Sequence, residues 1–206
     1  MENRQFTEKE SLALITDMIS RTKSRYIGDG NVMLMWGWLT VAVTGLVWPL
    51  VALTSNYMWN WLWFLIPAVG GPTTYFMSRN AVRKRGVLTY SDRITSQIWN
   101  VVGLLAFLAM AICALFNLAG MNIWCLMFLY ATVIVPFGEI AQGIVVNEKI
   151  LVVGGAIGMT IGMFSAACLV GYVTLYSYWF LPMFMLAFVC MMLVPGYVIN
   201  YKYRRQ

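Results

Sequence analysis

Apolar runs of about 20 residues recur along this chain, divided by short polar links, and that repetition decides its class. A run of that length crosses the ~30 Å hydrocarbon core of a bilayer as a helix. A helix also satisfies its own backbone groups where no water can. Hydrophobic residues make up 61% of the 206 residues and charged residues only 11%, well below the ~25% charged of soluble domains. The expected fold is therefore all-α. It is a polytopic membrane protein with six transmembrane helices in three hairpins, preceded by a cytosolic amphipathic helix. The spans are read at about 31–54, 57–78, 94–118, 122–146, 150–174 and 177–200, with residues 1–30 as a cytosolic N-terminal segment and 201–206 as a basic tail.

Charge gives the orientation. The 14 Lys and Arg outnumber the 8 Asp and Glu, for a net charge of +6. Five basic residues lie in residues 1–30 and five in the 79–93 loop, with Lys149 in the fourth link and Lys202, Arg204 and Arg205 in the tail. The intervening links carry none, so both termini and the basic loops are expected in the cytoplasm of a bacterial inner membrane. The basic excess flanks spans and forms no stripe with interleaved aromatics, so no nucleic acid is expected as a partner. Membrane lipid is the expected surrounding. Trp59, Trp61, Trp63, Trp124, Tyr176, Tyr178 and Trp179 suit an aromatic belt at the outer face.

Within residues 1–30, Thr7-x-x-Glu10 has the form of a capping box. Leu12, Ile15, Met18 and Ile19 then make one apolar face at helical spacing. Such a helix either lies on the anionic inner leaflet or docks on a cytosolic protein. Gly28-Asp29-Gly30 ends it before the first span.

Glu139 is the only charged side chain inside a long apolar run. At membrane depth a carboxylate costs roughly 2.5–3.5 kcal/mol on insertion scales, which makes it a candidate functional group with a partner to find. Gln142 follows it by three residues. Arg93, Gln97 and Asn100 share a face of the preceding, antiparallel span, and a count of ~1.5 Å per residue brings them near the same depth. The expected intramembrane cluster is thus Glu139, Gln142, Gln97, Asn100 and Arg93. Burial disfavours a charged carboxylate and a nearby guanidinium favours it, and the sequence leaves that competition open.

The fifth span carries Gly154, Gly158, Gly162 and Ala166 at intervals of four. In lipid, small residues let helix backbones approach closely, so this is an expected packing groove, filled from the same chain or from a second copy in a homo-oligomer. The even-numbered spans each hold Pro near Gly, at Gly71-Pro72, Pro136-Phe137-Gly138 and Pro195-Gly196. Each Pro removes a backbone donor and can kink its helix.

Enzymatic chemistry has few footholds. There is no His, and Asp17, Asp29 and Asp92 lie outside the spans. Cys113, Cys125, Cys168 and Cys190 sit in apolar runs without a C-x-x-C pair, so they read as small hydrophobes and not as disulfides or metal ligands. No phosphate-binding glycine loop opens a helix after a strand. Neither cofactor nor metal is expected.

Glu10-Ser11-Leu12 through Asp17-Met18-Ile19, then Arg21-Thr22-Lys23, Trp36-Gly37-Trp38 and the closing Leu193-Val194-Pro195-Gly196-Tyr197 resemble a family of small multi-pass membrane proteins of Bacteroidota-type bacteria. Members of that family look like operon neighbours of winged-helix regulators, which implies a regulatory or stress-linked role. The resemblance implies no catalytic residue. The leading expectation is a non-enzymatic inner-membrane protein that presents a cytosolic helix to a partner. Next come a small proton- or cation-linked transporter that uses Glu139, and a membrane-structural protein.

Overall fold

The structure, a computed structural model, describes residues 30–54, 56–85 and 90–205, together with Leu12, Ala13 and Thr16. Among these residues there is helix and no strand. The long elements, in order, are α1 (Asn31–Thr54), α2 (Leu65–Arg85), α3 (Tyr90–Leu118), α4 (Cys125–Val146), α5 (Lys149–Val170) and α6 (Ser177–Arg204). Five of them, all but α2, are long and apolar enough to cross a membrane. This is an all-helical chain of membrane-compatible helices.

The second expected span is not one α-helix. Tyr57–Phe64 winds as a 3-10 segment, and α2 then runs past the expected end into Arg79, Arg83 and Arg85. Local chemistry accounts for the tight winding. The Asn56 side chain accepts from the Met58 amide at 3.0 Å, and the Trp63 indole donates to Asn60 at 3.2 Å. Such short-range bonds compete with the α-helical ladder in a stretch rich in Trp.

Two further interruptions lie inside α4 and α6. Each contains one five-residue π-turn, Tyr130–Ile134 and Val189–Leu193, followed at once by Val-Pro. The amide of Val135 bonds back to the Tyr130 carbonyl, and that of Val194 to the Val189 carbonyl. The next residue in both helices is Pro, which has no amide to give. The two helices therefore share one break, 59 residues apart.

Contacts at the helix ends sort the chain into two faces. Asn200 donates to the Asn31 side chain at 2.9 Å, and Lys202 pairs with Glu148 at 2.7 Å. The start of α1, the α4–α5 turn and the end of α6 thus lie together. At the opposite end, Phe64 meets Trp124 with ring centroids 5.7 Å apart.

The core changes character along its length. Toward the Phe64 end it is aromatic, with Phe128 edge-on to Trp63, Phe180 and Phe184 at 5.1–5.3 Å. Toward the other end Gly, Pro and a single carboxyl group lie near a small apolar cluster of Met33, Leu151 and Ile199. Leu12 is exposed. Ile15, Met18 and Ile19, the rest of the expected amphipathic face, lie outside the described residues.

Candidate functional site

Glu139 stands three residues after Pro136, on the first regular turn beyond the α4 break. Its exposure is 0%, and neither carboxyl oxygen has a hydrogen-bond partner. Three other buried polar groups are satisfied inside their own helices. Thr44 donates to the Thr40 carbonyl, Thr132 to Phe128 and Ser165 to Ile161. Among the described residues, Glu139 alone is a buried side chain with unpartnered polar atoms.

What surrounds it comes from α5 and α6. A β-carbon built on Gly154 would stand 3.3 Å from Glu139 Oε1, 2.9 Å from the Cys190 carbonyl oxygen and 2.8 Å from the Pro195 ring. The carboxyl group and that carbonyl therefore face one small space, which exists because residue 154 has no side chain. The Cys190 carbonyl is unusual as well. Its α-helical donor, the Val194 amide, is committed to Val189. Its π-helical donor would be residue 195, which is Pro. The break in α6 thus leaves an acceptor open toward the buried acid.

The expected cluster around Glu139 does not assemble. Arg93, Gln97 and Asn100 are exposed on α3. This helix turns a different side to α4. A β-carbon on Gly138 would meet Val102 at 2.9 Å and Ile98 at 3.8 Å, and the Trp99 indole donates to Gln142 Oε1 at 2.7 Å. The reason is packing: Gly138 opens a notch, and the bulkier apolar side of α3 fills it. Gln142 is turned to α3, while Glu139, about a sixth of a turn round the helix, is turned to α5 and α6.

The small-residue groove on α5 is filled from within the chain. Gly154, Gly158 and Gly162 are buried, and Ala166 is half-buried. Gly158 lies against Met191 and Pro136, and a β-carbon on Gly162 would collide with the Thr132 carbonyl. Gly155, outside the four-residue spacing, is equally close to Ile140 and the Pro136 carbonyl. Gly143, also outside the spacing, would meet Leu151 and Val152 at 2.8–2.9 Å.

Sequence reasoning missed the Cys190 carbonyl, Trp99, and Tyr130, whose hydroxyl donates to the Val102 carbonyl at 2.8 Å. The repeated Val-Pro step was a visible signal for the first of these. No group of three His, Cys, Asp or Glu side chains converges among the described residues. Comparison with protein-family models, with curated proteins and with solved structures finds no match.

Proposed function

We propose that this chain is a six-span protein of the bacterial cytoplasmic membrane, with both termini on the cytoplasmic side, that takes up and releases a proton or a small monovalent cation at Glu139 as a non-enzymatic carrier. One observation supports this above others: a carboxyl group wholly enclosed by helices, with both oxygens unpartnered, facing a carbonyl that a helix break has freed. Ionisable groups at membrane depth are expensive and mark ion and proton pathways. Broken helices at such depth offer carbonyls as ligands. With a proton bound, the acid hydroxyl gains a donor that the Cys190 carbonyl can accept. Without one, the carboxylate calls for a cation. Docking of the N-terminal helix on a cytosolic protein rests on residues outside those described, so the geometry speaks for Glu139.

The test uses the purified full-length protein in lipid vesicles with a pH dye inside. A potassium gradient and valinomycin impose the driving potential for the proton runs, and parallel runs without valinomycin follow uptake of sodium or rubidium tracer. The wild type is expected to move protons or one of these cations, and folded Glu139→Gln is expected to lose that flux. Equal flux in both proteins sinks the proposal.

A further inference from the structure

The side of α3 that carries Gln97 and Asn100 faces outward, away from the bundle. Gln97, Asn100, Leu104, Phe107, Ala111 and Ala114 fall at alternating steps of three and four, and all six are exposed. They lie across the helix from Ile98, Val102 and Cys113, the side turned to α4 and to the chain leading into it. Of the five membrane-length helices, α3 is the least enclosed, with 11% of its apolar window buried against 28–50% for the others.

The depth of the two amides follows from their neighbours. Ile98 and Val102 flank Gly138, and Trp99 reaches Gln142. Asn100 is therefore level with the stretch of α4 that holds Glu139. Neither Gln97 nor Asn100 makes a hydrogen bond among the described residues. Lys and Arg side chains can reach back to the interface from such a depth, but Asn is too short to do so. Lipid tails offer an amide nothing to bond.

We propose that this side of α3 is the two-fold seam of a homodimer, with Asn100 of each copy hydrogen-bonded to Asn100 of the other. The occupant is a second copy because the amide is self-complementary. Each Asn carries donor and acceptor, so two related side chains exchange reciprocal bonds. A two-fold axis along the membrane normal also keeps equivalent residues at equal depth, so the match needs no coincidence. The steps of three and four form the stripe along which two parallel helices pack with a left-handed crossing. Ala111 and Ala114 let the backbones close in at the far end, and interhelical amide bonds hold such pairs in lipid. Arg93, one turn before Gln97, sits at the aqueous edge, where two guanidinium groups stay hydrated.

The test counts subunits of the full-length protein in vesicles by single-molecule photobleaching over a range of protein-to-lipid ratios. The wild type is expected to be dimeric. Asn100→Leu keeps the surface compatible with lipid and is expected to weaken self-association about tenfold, in line with a pair of interhelical amide bonds. Its thermal unfolding as a monomer should be unchanged. Asn100→Gln, which preserves the amide, should retain the dimer, as should Leu105→Ala on another side of α3. A wild type that is monomeric at every density overturns the proposal. So does an Asn100→Leu variant that dimerises like the wild type, or a wild type that copurifies in equal amount with a different membrane protein and not with itself.

Discussion

A carboxyl group enclosed by helices needs a counterion, a donor or a neutral form, and the described surroundings of Glu139 supply neither of the first two. Glutamine has the same shape and no charge, so Glu139→Gln should insert and unfold like the wild type. Glu139→Lys places a longer cation where nothing pairs with it and should fail to accumulate. Membrane-fraction abundance with thermal unfolding distinguishes the two, and loss of folding in Glu139→Gln would point to an essential ion pair. A second residue-scale expectation concerns glycine. Gly162→Ala drives a methyl group into the Thr132 carbonyl and should cost about 1–3 kcal/mol. Gly103→Ala meets nothing within 4 Å and should be neutral or stabilising by up to about 1 kcal/mol, as expected for Gly replaced in a helix. Equal melting temperatures for the pair would mean that α4 and α5 are not in backbone contact. At this scale the sequence was informative about identity and poor about direction. One acidic residue in the apolar runs was enough to select Glu139. Its facing partner depended on helix rotation, which Gly138 and Trp99 set through packing that no spacing rule encodes.

Among the helices, α4 and α6 are the ones that depart from regular winding. Pro195 and the π-turn before it jointly leave the Cys190 carbonyl open, so Pro195→Ala restores an amide that can bond to it. A regained backbone hydrogen bond contributes about 0.5–1.5 kcal/mol, and the variant should melt higher. It should also move protons or cations more slowly, because the acceptor facing Glu139 is then occupied. A variant that melts higher with undiminished flux would separate the break from the site. Some boundaries are legible and some are not: the first run reads as 31–54 and α1 covers Asn31–Thr54, whereas α2 runs to Arg85, past the expected 78. That legibility came from hydropathy, which marks where a helix can lie in lipid. Winding within the run was not legible. Hydropathy does not register the Asn56 side-chain bond that tightens Tyr57–Phe64, or the extra residue per turn that makes a π-turn.

Across the whole molecule, the pairings Asn31–Asn200 and Glu148–Lys202 gather three chain segments at one face of the bundle. The basic residues of the loops give that face its expected side, the cytoplasm. Reporter fusions after Glu148 and Gln206 should therefore report the cytosol, and fusions after Gly120 and Tyr176 the opposite side. A cytosolic signal from Gly120 would overturn the six-span reading. Class could be argued from composition because lipid imposes it on any chain with these runs. The route by which helices come together could not, because it depends on which glycine meets which carbonyl. That detail has a mechanical result. Gly155 rests on the Pro136 carbonyl and Gly162 on that of Thr132, so α4 and α5 touch backbone to backbone at two levels, about two turns apart on α5 and one on α4. Side chains can swing to accommodate a sliding neighbour, whereas two main chains in contact cannot slip without climbing over each other. The pair is therefore a stiff plank, and α6 lies against it where Gly154 meets the Cys190 carbonyl, beside Glu139. Backbone amides of α4 and α5 along this contact should exchange hydrogen together and slowly. On the proposed reading of Glu139 as a carrier group, opening it to either side of the membrane must shift α6 against that plank, and the Glu148–Lys202 pair is one tie between them.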